Sequence, residues 1–288
     1  RYYPRFTEPN FLVVAGVSLT DDSQAVSKEV FMGMGGTVYS SQNNLYVAAP
    51  HYEYKEMERY DIWAPPISEE NTVLYRFALN DGNVEYKGRG MVPGHLLNQF
   101  AMDENGTSFR VATTKGQVWD TAKPSENNLY MLDVNDLNVT LGKIEGIAKG
   151  ETIYSVRFIG DRAYMVTFKK VDPFFVIDVA DPRNPQILGA LKIPGYSNYL
   201  HPFDENHIIG FGKDAVDPQE LEDEGFAGGR GFDFAWYQGM KIALFDVTDV
   251  ANPKLMFNEI IGDRGTDSEV LNNPKALLYD KARNIFAF

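Results

Sequence analysis

Apolar residues recur along this chain in short runs broken by polar turns, and four stretches follow one 23-residue plan. They are Thr72–Gly94, Asn128–Gly150, Pro173–Gly195 and Lys241–Asp263. Each has an apolar run, a polar turn, a second apolar run and a closing Gly or Asp. Tyr164, Val166 and Phe168 alternate with Met165 and Thr167, which is the period of a half-buried strand. Phe174–Ile177 and Ile242–Phe245 are unbroken apolar runs, as expected of strands covered on both faces. The turns Asn80-Asp81-Gly82, Asp181–Pro185 and Asp249–Pro253 are rich in residues that accept left-handed or fixed backbone angles. No long amphipathic helix is predicted, and short helical turns are expected at Gln219–Asp223 and Lys55–Arg59.

A second kind of piece lies between these units. Val156–Phe168, Leu200–Gly212, Thr37–Pro50, Phe100–Thr114 and Ala276–Phe288 each read as strand, short polar turn, strand. Such a hairpin followed by the 23-residue hairpin makes a four-stranded antiparallel sheet, the blade of an all-β propeller. The closing positions Gly94, Gly150, Gly195 and Asp263 are 56, 45 and 68 residues apart. A blade repeat of the WD40 kind needs roughly 40–45 residues, so the excess lies in insertions. The expectation is one β-propeller domain over residues 1–288 with four complete blades. Two half-blades flank them, a head at Asn10–Gly35 and a tail at Ser268–Phe288. Those halves either pair into a fifth blade or belong to blades completed elsewhere in a longer chain. The missing initiator Met and the strand-like last residues favour a piece of a longer protein.

Composition narrows the partners. A net charge of −13 argues against nucleic acid or an anionic membrane surface, both of which need a basic face. No run approaches the roughly 20 apolar residues of a membrane-spanning helix. Zero cysteines remove thiol catalysis, disulfides and cysteine-ligated metals. The chain carries no recognisable signal peptide.

Candidate chemistry falls in two groups. The blade-to-blade links Met91–Asn98, Lys149–Ser155, Pro194–Pro202 and Gly262–Pro274 are expected to ring the mouth of a central channel. They bring His95, Glu151, Tyr154, Tyr196, Tyr199, His201, Asp267 and Glu269. Such carboxylates, imidazoles and phenols suit a cation, a sugar or acid–base work. The plainer reading is channel-lining groups that satisfy one another and ordered water. No cofactor is demanded, and a divalent cation such as calcium is the one these groups would accept. The second group is the three insertions His51–Asn71, Lys115–Asn127 and Lys213–Gly239, with Tyr60, Trp63, Trp119, Asp217, Glu222 and Trp236. Aromatics beside acids on long loops suggest a recognition surface; the competing reading is caps over blade ends.

Other motifs are weaker. Asp133, Asp178 and Asp246 each end a strand before a Val, and their recurrence argues for a structural role. Asp103-Glu104-Asn105-Gly106 and Asp204-Glu205-Asn206-His207 lack the spacing of a calcium loop and are read as turns. The four histidines form no ligand pair of the HExxH type, and there is no GxSxG elbow or Walker loop.

The run Tyr154–Lys213 and the stretch Tyr237–Asp263 resemble bacterial and archaeal secreted proteins with a C-terminal β-propeller distantly related to WD40 repeats. That resemblance covers essentially the whole chain. It implies export or cell-surface attachment, a longer parent protein and a ring of more than five blades. It implies no established activity. The expected function is a non-enzymatic binding scaffold that recognises a protein or polysaccharide through the insertion-rich face. The alternative is a hydrolase or lyase at the channel mouth, built on His95, Glu151, His201 and Glu269.

Overall fold

The structure is a computed structural model that describes residues 10–33, 35–54, 68–169, 172–216 and 236–288. At the head, β1 (Phe11–Gly16) and β2 (Ser27–Met32) pair antiparallel as a two-stranded sheet. The first blade takes β3 (Thr37–Ser40), β4 (Asn44–Tyr54), β5 (Ser68–Asn80) and β6 (Asn83–Pro93) in chain order. The second takes β7 (Met102–Asn105), β8 (Ser108–Lys115), β9 (Glu126–Asp133) and β10 (Thr140–Ile147). The third takes β11 (Thr152–Ile159), β12 (Arg162–Phe168), β13 (Asp172–Asp178) and β14 (Gln186–Ile193). The fourth takes β15 (Tyr196–Pro202), β16 (His207–Val216), β17 (Trp236–Asp246) and β18 (Lys254–Ile261). At the tail, β19 (Leu278–Asp280) and β20 (Ile285–Ala287) form a second two-stranded sheet. Four meanders of four strands, with a hairpin before and a hairpin after, is the plan the apolar rhythm predicts. The helical turns expected at Gln219–Asp223 and Lys55–Arg59 lie outside the described residues.

Each 23-residue unit is the outer hairpin of a blade, and in the second, third and fourth units the turn is built the same way. The Oδ1 of Asp133, Asp178 and Asp246 accepts the backbone N–H two residues on, at 2.7, 2.9 and 2.9 Å. A second Asp repeats the contact three residues later, from Asp136, Asp181 and Asp249. These are Asx turns, so the recurring aspartates serve the backbone, as their recurrence suggests.

Backbone packing divides the chain into two compact units, residues Arg1–Gly116 with Asn128–Lys143, and Gln117–Asn127 with Ile144–Phe288. The first has a core of Leu74, Val92, Met102, Val111 and Leu132 around Tyr46 and Phe109, whose rings stack at 4.0 Å. In the second, Phe174 and Phe245 stack at 4.4 Å among Val166, Val176, Leu200 and Ala243.

Candidate functional site

In the second unit, Ser155 Oγ of β11 donates to the Ser197 carbonyl of β15 at 2.7 Å and holds the first strands of the third and fourth blades side by side. This brings together two of the candidates, Tyr154 and Tyr196, with ring centroids 4.5 Å apart. Phe168 packs 4.8 Å from Tyr196, and Tyr237 of β17 stands nearly perpendicular to it at 5.2 Å. The hydroxyls of Tyr154 and Tyr237 lie 3.4 Å apart. Tyr196 is buried and Tyr237 is 40% exposed, so the cluster has a closed floor and an open rim. Burial pushes the Tyr196 hydroxyl pKa up, and the nearby Tyr237 and Asp267 push it further. Lys213 lies 3.6 Å from the Asp267 carboxylate and donates to the Thr266 carbonyl, which pins this link.

The other candidates of this unit have separate partners. Glu151 accepts from the Thr167 hydroxyl, and burial raises its pKa against the opposing effects of that bond and of Lys192. Tyr199 Oη and His201 Nδ1 are 3.0 Å apart, and the imidazole meets Tyr279 edge-to-face at 5.1 Å. Burial and the charge of Arg157 both lower the His201 pKa. Glu269 sits in a single 3-10 turn and takes a bond from Asn273 Nδ2 at 3.3 Å. Trp119 is 73% exposed on the link between β8 and β9. Trp236 begins β17. Tyr60, Trp63, Asp217 and Glu222 lie outside the described residues.

In the first unit His95 Nδ1 and Glu70 Oε2 are 2.8 Å apart, an imidazole–carboxylate pair at the start of β5. The turn reading of Asp103–Gly106 needs correction at one residue. Glu104 accepts from Tyr46 Oη at 2.6 Å, from Ser41 Oγ at 3.0 Å and from Asn44 Nδ2, so it ties the second blade to the first. Among the described residues no set of three or more His, Asp or Glu gathers as a metal site. No helix among the described residues is long and apolar enough to cross a membrane.

The family model described as "Beta propeller domain" matches residues 1–288. The chain belongs to the beta propeller domain family. Two curated relatives are archaeal. An uncharacterized protein of Methanocaldococcus jannaschii is 50% identical over 165 residues, 57% of this chain and 23% of that protein. One of Archaeoglobus fulgidus is 42% identical over 217 residues, 75% of this chain and 29% of that protein. This propeller chain thus spans about a quarter of the length of the curated relatives it matches. A solved Bacteroides fragilis structure, provisionally named a 6-phosphogluconolactonase, covers 99% of this chain and 95% of its own at 10% identity. Its TM-score is 0.35, too low to argue from.

Sequence reasoning missed Tyr237, Lys213, Glu70 and Thr167. Tyr237 was read only as part of an aromatic-rich insertion, yet it is the second residue of a strand and pairs with Ala215. The available signal was its position just before the apolar run of Lys241–Asp263. Glu70 carried none, because its partner His95 lies 25 positions away on a different link.

Proposed function

We propose that this propeller is a non-enzymatic binding scaffold of an exported or cell-surface protein. It recognises a protein or polysaccharide through the side that carries the insertions. The observation that supports this reading is Trp119, an indole left 73% exposed on a loop that is itself firmly tied. Gln117 bridges to Pro124, and the Ser125 N–H donates to the Gln117 carbonyl at 3.2 Å. Asp120 Oδ1 accepts from the N–H groups of Ala122 and Lys123, both at 2.9 Å. Ser125 Oγ donates to the Glu151 carbonyl at 2.8 Å. A tryptophan held out to water by a pre-shaped loop loses little freedom when it docks, which is the economy of a binding hot spot. The net charge of −13 points away from nucleic acid and from anionic membrane surfaces.

Retention of the purified chain on cell-envelope material tests the reading. Trp119→Ala is expected to weaken it about thirtyfold, the scale of a hot spot worth roughly 2 kcal/mol. Retention equal to wild type in Trp119→Ala would count against it. Fractionation of the source cells should find the protein outside the cytoplasmic membrane.

A further inference from the structure

We propose that Tyr154, Tyr196, Tyr237 and Asp267 form a subsite for a neutral sugar residue of a polysaccharide. This rests on the binding-scaffold reading and names the chemistry it would recognise.

Tyr196 is 6% exposed and is gripped by Tyr154 at 4.5 Å and Phe168 at 4.8 Å. It forms a fixed floor. Tyr237 stands on that floor at 73° and keeps 40% of its surface in water. The C–H face of a pyranose stacks on an accessible ring of this kind, and a tyrosine locked by its neighbours has little rotamer freedom left to lose.

The polar groups match hydroxyls. The paired phenols of Tyr154 and Tyr237 each donate and accept, and the raised pKa of Tyr196 keeps the floor uncharged. Asp267 is 62% exposed; its Oδ1 accepts the Ser268 N–H at 2.8 Å and faces Lys213 at 3.6 Å, which leaves Oδ2 to accept a sugar hydroxyl. Lys213 anchors the link by bonding the Thr266 carbonyl beside it.

Charge selects the class of sugar. Asp267 itself and the −13 of the whole chain repel a uronate, and the nearby cation, Lys213, is only 14% exposed and already engaged by Asp267 and the Thr266 carbonyl. A protein hot spot is a dry pocket for an aromatic or arginine side chain. Here the open side presents one partly exposed ring, two hydroxyls and a carboxylate, which suits a sugar better.

The test is calorimetric titration of the intact chain with glucose- and N-acetylglucosamine-based hexasaccharides, and with a hexagalacturonate. Neutral oligosaccharide is expected to bind at least about tenfold more tightly than the uronate. Tyr237→Ala and Asp267→Asn should each weaken it about tenfold, and Tyr237→Phe, which keeps the stack, only a few-fold. Melting curves confirm that each variant is folded; Tyr237 is a partly exposed strand-end residue, so its replacement leaves the core intact. No neutral binding, tighter uronate binding, or unchanged affinity in both Tyr237→Ala and Asp267→Asn would overturn the subsite. If Trp119→Ala abolishes retention on envelope material while Tyr237→Ala leaves it intact, the subsite fails and the scaffold reading stands.

Discussion

Asp178 accepts the Ala180 N–H at 2.9 Å and so closes the turn that joins β13 to β14. An alanine there leaves the turn to water, and the expected loss is about 1 kcal/mol, read from urea denaturation, with ligand binding unchanged. Glu151 makes a sharper case because its pKa is raised, chiefly by burial. A carboxyl with a raised folded pKa contributes most below its unfolded pKa and loses that contribution as pH climbs through the folded value. Glu151→Gln keeps an acceptor for Thr167 and has no proton to lose. The stability of the Gln variant relative to wild type should therefore rise from pH 4.5 upward and then level off. A difference that stays flat over that range would show Glu151 to be freely solvated. His201 goes the other way: burial and Arg157 lower its pKa. An NMR titration should find its midpoint below 6.5, and stability from this group is lost as pH falls through that window, because the unfolded chain takes the proton first.

The links between blades turn on glycine. Gly94, Gly150, Gly195 and Gly262 have φ of +87°, +86°, +78° and +66°. They differ in what a side chain would meet. A Cβ on Gly150 finds nothing within 4 Å, whereas one on Gly195 would lie 2.3 Å from the Lys213 carbonyl oxygen. Gly150→Ala should cost about 1–2 kcal/mol for the left-handed backbone alone. Gly195→Ala should cost more, since backbone must move, and urea midpoints of the two variants rank them. Equal costs would mean that the third link gives way freely. Three of these four positions were legible as the closing residue of the repeat. The fourth was placed at Asp263, one residue late, because a repeat aligned by apolar residues does not register φ, and β18 ends at Ile261. The strands themselves were legible for a simple reason: alternation and turn chemistry are local, and β11 to β18 need no information from outside their own hairpins.

Across the whole molecule, legibility falls with sequence separation. The residues that meet in the aromatic cluster, Tyr154 and Tyr237, are 83 positions apart, and Tyr237 has no counterpart in the repeat to mark it. Of the candidates on the predicted links, Glu151 meets Thr167, Tyr199 meets His201 and Asp267 meets Lys213, and of these three pairs Tyr199–His201 alone is close in sequence. A strand carries the address of its neighbours in its pattern, and a surface site does not. Net charge is the one property of the whole chain that is read in full from the sequence, and it has a measurable consequence. At −13 the folded state repels itself, and added salt shortens the reach of that repulsion from about 30 Å at 0.01 M to about 10 Å at 0.1 M. The melting temperature at pH 7 should therefore rise between those concentrations of sodium chloride. Near pH 4.8, the isoelectric point, the net charge and the salt effect should both vanish. A melting temperature that falls with salt at pH 7 would show that exposed ion pairs such as Lys87–Glu85, which salt weakens, outweigh the net repulsion.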